Sequence, residues 1–123
     1  MKRILVVDDN TDILQIVKVI LENYGYEVVV TPNGEETLSK TNSFHPQLIL
    51  MDVFLSSGID GRDICRALKE NDKTKSIPVI MFSAQTKMED VLRSCRADDF
   101  IAKPFEVKDL LSKIQFHLSQ NLN

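Results

Sequence analysis

Asp8 and Asp9 close one apolar run of the chain, Asp52 closes a second, Ser83 follows a third, and Lys103 with Pro104 follows a fourth. Laid side by side in parallel, four such runs would bring their polar ends to one rim holding three carboxylates, a hydroxyl and an ammonium. Three carboxylates within about 5 Å repel by roughly 3 kcal/mol per pair at an effective dielectric near 20. A fold tolerates that strain when a small hard cation sits among them or one proton is retained. Magnesium matches the demand, because it takes oxygen ligands octahedrally, keeps several waters and bridges to phosphate oxygens. Asp9 and Asp52 are expected as direct ligands and Asp8 partly through water, with the backbone carbonyl of Phe54 adding a further oxygen.

Asp52 stands alone at the end of its run, which makes it the candidate nucleophile. An aspartate forms an acyl phosphate when the incoming phosphoryl oxygens are neutralised, and little covalent machinery is then needed beyond in-line positioning. Lys103 would bring a point charge to the phosphoryl group and Ser83 a hydrogen bond. Phosphorylation adds about −1.5 to −2 charge and three acceptor oxygens, which draws Ser83 and Lys103 inward and offers a switch.

The elements that must position these groups follow from the hydrophobic pattern. Ile4 to Val7 and Leu48 to Met51 are continuous apolar runs, the mark of strands covered on both faces. Glu27 to Val30, Pro78 to Phe82 and Phe100-Ile101 give three more strands. Between them lie helical patterns: Ile13, Ile16, Val17, Ile20, Leu21 and Tyr24; a short helix over Glu35 to Lys40; Ile64, Cys65 and Leu68; Met88, Val91, Leu92 and Cys95; and Val107, Leu110, Leu111, Ile114 and Leu118. Asn10 or Thr11 can cap the first helix and Gly25 can end it in the left-handed conformation. Five β–α units require a parallel sheet with helices on both faces and right-handed crossovers. Ligands of such sheets bind beyond the carboxyl ends of the strands, where Asp8, Asp9, Asp52, Ser83 and Lys103 fall.

At 123 residues the chain makes one domain, residues 1–123, and 43% hydrophobic with 27% charged residues is a globular composition. Fifteen Lys plus Arg against eighteen Asp plus Glu leave a formal charge of −3 with no basic run, which argues against direct nucleic-acid binding. Cys65 and Cys95 lack CxxC spacing and read as reduced and half-buried. The four apolar residues before Asp8, Ile4 to Val7, are too few for a signal peptide or a membrane span, so a cytoplasmic location without membrane contact is expected. The sequence stops soon after its last helical pattern, which reads as a stand-alone protein or a domain cut from a longer chain.

Three strings in order, Ile4-Leu5-Val6-Val7-Asp8-Asp9-Asn10, Leu48-Ile49-Leu50-Met51-Asp52 and Asp98-Asp99-Phe100-Ile101-Ala102-Lys103-Pro104-Phe105, with Ser83-Ala84 before the last, give the chain a resemblance. Over its whole length it resembles the receiver domain of two-component response regulators. That resemblance implies a doubly wound, flavodoxin-like α/β sheet of order 2-1-3-4-5. It also implies magnesium-dependent transfer of a phosphoryl group from a histidine kinase or phosphotransfer protein to Asp52. Phe100 takes the place of the aromatic that rotates inward with the Ser83 position. The surface from Met88 to Leu118 would carry the output, to a partner or to a second copy of the chain.

Several positions depart from the family pattern. Ser56 replaces a customary proline, the loop over residues 54–61 is one residue longer, and Arg96 stands where glycine is common. A less rigid loop and a different end to the preceding helix are expected from these changes. Phe54, two residues past Asp52, is expected to hinder the approach of water to an acyl phosphate.

Each residue taken singly also has a plainer reading: Asp8 and Asp9 as helix-start carboxylates, Ser83 as a turn hydroxyl, Lys103 as a solvated lysine and Phe100 as a core aromatic. His45 reads as a loop residue, His117 as a helix-end residue without a role, Arg93 and Arg96 as a solvated helix face, and Asp98-Asp99 as a loop before the fifth strand. A magnesium-dependent phosphohydrolase acting through an aspartyl phosphate is the alternative function. It would want an acid two residues after the first-strand nucleophile, where Asn10 stands. A flavin or nucleotide site would need a phosphate-cradling loop after the first strand, and Asp8-Asp9-Asn10 would instead repel a phosphate. A receiver-like domain that no longer takes phosphate conflicts with the complete acidic set.

Overall fold

The structure is a computed structural model that describes residues 1–84 and 88–120. Its elements alternate: β1 (Arg3–Val7), α1 (Thr11–Asn23), β2 (Glu27–Thr31), α2 (Thr37–Phe44), β3 (Leu48–Asp52), α3 (Gly61–Glu70), β4 (Val79–Ser83), α4 (Met88–Cys95), β5 (Asp99–Ala102) and α5 (Val107–Gln120). All neighbouring strands pair in parallel, in the order β2-β1-β3-β4-β5. The doubly wound α/β expectation is therefore met. The first crossover runs outward to β2 and the next returns past β1 to β3, so the loops after β1 and β3 leave the sheet in opposite directions. That divergence opens the crevice in which Asp8, Asp9 and Asp52 lie.

Both faces of the strands are buried, as their unbroken apolar runs require. Ile4 and Val6 of β1, Leu48 and Leu50 of β3, and Ile80 and Phe82 of β4 pack with Leu14, Val17 and Leu21 of α1 and Leu110, Leu111, Ile114 and Leu118 of α5. The alternate residues Leu5, Val7, Ile49, Met51, Val79 and Met81 face Cys65 and Leu68 of α3 and Val91 and Cys95 of α4. Burying one such aliphatic side chain contributes about 2 kcal/mol, so the central strands anchor the rim rigidly. The Met88 side chain, expected on the apolar face of α4, lies outside the described residues. No helix among the described residues is long and apolar enough to cross a membrane.

Helix ends follow the expected chemistry with informative exceptions. Asn10 caps α1, its side-chain oxygen accepting from the N–H groups of Asp12 and Ile13, and Gly25 ends it with φ 90°. The helix expected over Glu35 to Lys40 is instead a 3-10 turn at Gly34–Glu36 followed by α2, which continues to Phe44 and stops at His45 in the left-handed conformation. Arg96, expected to force a different termination of α4, takes the left-handed conformation itself, with φ 60° and its N–H donating to Leu92 O. The chain must turn there because Asp98 N–H donates to Val79 O and begins the β5 pairing two residues later. Tertiary pairing overrides the preference of a bulky side chain.

Three other readings need correction. Cys65 and Cys95 are fully buried, not half-buried, because α3 and α4 face each other over the sheet. The Asp98-Asp99 pair is no simple loop: Asp99 begins β5, and Asp98 accepts from the Val79 N–H at 2.7 Å and the Lys69 ammonium at 2.6 Å. His117 is engaged, its Nε2 lying 2.8 Å from Asp99 Oδ2, which also brings Lys113 of α5 within 3.0 Å of Asp99 Oδ1.

Candidate functional site

Asp8 leaves β1 fully buried, and its backbone N–H still donates to Thr31 O at 3.3 Å. The turn into α1 brings the Asn10 N–H to 2.8 Å from Asp8 Oδ1, leaving Oδ2 to accept from Lys103 Nζ at 2.7 Å. Asp9, one residue on, points to solvent. Asp52 is the last residue of β3 and nearly buried. Ligand oxygens of Asp8, Asp9 and Asp52 all lie within 4.8 Å of one another.

Lys103 comes from the turn after β5, where its peptide bond to Pro104 is cis and its N–H donates to Ser83 O at 3.1 Å. Its ammonium touches Asp8 Oδ2 and, at 3.3 Å, Asp52 Oδ2. Beneath it the Phe82 ring lies 4.5 Å away, a cation–π contact that sequence reasoning missed. Phe82 carries no motif of its own; its position just before Ser83 is the one available signal.

Charge balance decides what the rim can hold. Burial pushes the Asp52 carboxyl above its ordinary value, and the neighbouring Asp8 charge pushes it further. Lys103 and the Val53 N–H act against these effects without cancelling them. One ammonium thus leaves three carboxylates under-neutralised, and oxygen-only donors at this spacing suit a hard divalent cation. The residues present therefore fit magnesium.

Ser83 ends β4, buried, and lines a cavity of about 200 Å³ with Asp52, Phe54, Ala84 and Lys103. Phe54 is 50% exposed at its mouth. Phe100 is buried on the α3 and α4 side of the sheet. The expected site residues Asp8, Asp9, Asp52, Ser83 and Lys103 thus converge, while Phe100 packs into the core beneath α3 and α4.

Two more residues shape the site without having been singled out as part of it. Gly61 begins α3 so close to β3 that a Cβ there would overlap the Asp52 carbonyl oxygen. The bridge between Phe54 and Asp60 explains this closeness, with Gly61 N–H donating to Val53 O at 2.6 Å. A glycine after a helix-capping Asp60 is the signal, although Asp60 alone is legible as an N-cap. Ser56, in a 3-10 turn at Ser56–Gly58, places its hydroxyl 3.3 Å from Asp9 Oδ2.

Comparison with known proteins places this geometry among relatives. A family model described as the response regulator receiver domain matches residues 4–115. The DNA-binding response regulator MtrA of Mycobacterium tuberculosis is 33% identical over 122 residues, which is 98% of this chain and 52% of that protein. The chain spans about half the length of the curated relatives it matches. The receiver domain of a signal transduction histidine kinase from Syntrophus aciditrophicus superposes with a TM-score of 0.90 at 35% identity, covering 100% of this chain and 94% of that one. The receiver domain of a sensor histidine kinase from Pseudomonas aeruginosa PAO1, solved with magnesium coordinated in its active site cleft, gives a TM-score of 0.86 at 25% identity, over 96% and 98% of the two chains.

Proposed function

Because this chain belongs to the response regulator receiver domain family of two-component signalling, we propose that Asp52 is its phosphoacceptor and that Asp8, Asp9 and Asp52 hold magnesium. The observation that carries this reading is the Lys103 ammonium set between Asp8 and Asp52 at a cluster of three carboxylates. Magnesium at that cluster, with the Phe54 carbonyl as a further oxygen, would neutralise phosphoryl oxygens.

The chain's own groups do the remaining work. An oxygen of the Asp52 carboxylate attacks the phosphorus of a kinase or phosphotransfer protein's phosphohistidine; the P–O bond forms as the P–N bond breaks and the imidazole leaves. Lys103 keeps its proton and exchanges part of its contact with Asp52 for a phosphoryl oxygen. Ser83, across the cavity from Asp52, donates its hydroxyl to a second oxygen. The pull on β4 is passed to β5 through the pairing of Ser83 with Ala102 and of Met81 with Phe100. Ser83 and Phe100 are thereby the switch pair, and the surface over α4, β5 and α5 is where a partner or second copy reads the change. Magnesium, phosphohistidine and partner are the ligands of this domain; the −3 charge gives no reason to add direct nucleic-acid contact.

The phosphohydrolase alternative is weakened by Asn10, whose side chain is occupied in capping α1 rather than serving as an acid beside Asp8. Intact mass after incubation with acetyl phosphate and magnesium tests the reading. One phosphoryl adduct is expected, absent in Asp52→Asn and in EDTA. An adduct retained by Asp52→Asn would overturn the assignment of the nucleophile.

A further inference from the structure

We infer that Ser56 is a positioning residue that holds the Asp9 carboxylate toward the cation, an assignment that rests on the magnesium site proposed above. The three carboxylates are not held alike. Asp8 is fixed by the Asn10 N–H and the Lys103 ammonium. Asp52 is fixed by Lys103 and the Val53 N–H. Asp9 is exposed, and among the described residues its side chain has one hydrogen-bond partner, the Ser56 hydroxyl. Without that contact, repulsion from the other two carboxylates and the freedom of an exposed side chain both favour rotamers that point away.

The loop that carries Ser56, expected to be less rigid without proline, is nonetheless tied at its base. Leu55 is buried, its N–H donates to Ile59 O at 3.0 Å, and the bridge between Phe54 and Asp60 closes the base. Ser56 reaches across 47 residues of sequence to Asp9. A proline in the same turn has no side-chain donor and could not make this bond. The hydrogen bond does not consume the ligand, because a carboxylate offers about four lone-pair sites on two oxygens. Oδ2 accepts from Ser56 while Oδ1 stays available to the cation.

Losing the hydrogen-bond partner of a metal ligand typically weakens metal affinity about 10–100-fold. An exposed contact of 3.3 Å belongs at the low end, so Ser56→Ala is expected to weaken magnesium binding about tenfold. The test is a magnesium titration of the metal-free chain, followed by amide chemical shifts, for wild type, Ser56→Ala and Ser56→Thr. The threonine variant keeps the hydroxyl and should bind like wild type. Labelling by acetyl phosphate should need more magnesium in Ser56→Ala yet reach the wild-type rate at saturation. Equal or tighter magnesium binding by Ser56→Ala overturns the assignment, as does a threonine variant as weak as alanine. A wild-type chain that binds no magnesium overturns the site itself, a result distinct from equal affinities.

Discussion

Replacing Asp52 with asparagine is expected to stabilise the metal-free protein, although it destroys the proposed phosphoacceptor. Ligand oxygens of the three carboxylates lie within 4.8 Å, so each pair costs about 3.5 kcal/mol at an effective dielectric of 20. Asp52 takes part in two such pairs, together about 7 kcal/mol. Its contact with Lys103 at 3.3 Å returns about 5 kcal/mol on the same scale. Solvent screens the exposed Asp9, which shrinks the repulsion, while burial of Asp52 adds a desolvation cost in the opposite sense. The net gain for Asp52→Asn is about 1–2 kcal/mol, or a melting temperature about 3–8 °C higher for a domain of this size. Thermal unfolding in EDTA, followed by circular dichroism, measures it. Lys103→Met should move the other way by about 3 kcal/mol, because two nearly buried carboxylates lose their counter-ion. Magnesium should then stabilise the wild type by about 1.4 kcal/mol at ten times its dissociation constant and close the gap to Asp52→Asn. An unchanged or lower melting temperature for Asp52→Asn in EDTA would refute the reasoning. It would mean that a proton already relieves the cluster.

Three further outcomes are expected. Phe54, half exposed, lines the cavity beside Asp52 and is expected to hinder an attacking water, so Phe54→Asn should shorten the lifetime of the proposed acyl phosphate severalfold in a timed intact-mass assay; equal lifetimes reject the idea. Arg96 holds φ 60°, where an L side chain costs about 1 kcal/mol or more, so Arg96→Gly should raise the urea midpoint by the equivalent of about 0.5–1 kcal/mol; a lower midpoint would show that its long contact with Glu70 outweighs the strain. Burial pushes the Asp99 carboxyl up, but hydrogen bonds from His117, the Phe100 N–H and Lys113 together hold it below the ordinary 3.8. A lowered folded value means stability present above pH 3.8 and lost as pH falls through the folded value. Asp99→Asn should therefore lower stability by about 0.5–1 kcal/mol at neutral pH, after solvent screening of a partly exposed pair, and converge with wild type in strong acid; a gap unchanged from neutral pH into strong acid contradicts this.

The rim was legible because each of its residues ends a run that had to be a buried strand. Once Ile4 to Val7, Leu48 to Met51 and Pro78 to Phe82 are read as parallel neighbours, topology alone carries Asp8, Asp52 and Ser83 to the same edge. The end of α2 was illegible for the opposite reason. It buries Thr37 and Thr41 in place of an apolar stripe, and the Thr41 hydroxyl donates to Thr37 O at 2.7 Å, so no periodic signal reports the helix. The buried cysteines follow a similar logic: each sits at helical spacing, but full burial depends on α3 and α4 covering one another, which neither helix encodes alone.

Ser56, Gly61, Phe82 and His117 share a different kind of invisibility. Each acts through one contact with a group that sequence spacing does not bring near: Asp9, the Asp52 carbonyl, the Lys103 ammonium and Asp99. A motif announces itself when the chemistry needs several residue types at fixed separations. A single supporting contact needs one hydroxyl, one missing Cβ or one ring, and many residues satisfy that requirement by composition. What places three of them is backbone pairing: the bridge that closes the loop after β3 sets where Ser56 and Gly61 fall, and the pairing of β4 with β5 sets where Lys103 meets Phe82. Ser56 is therefore the informative residue of that loop, because it sets a hydroxyl beside Asp9 while leaving the carboxylates themselves untouched.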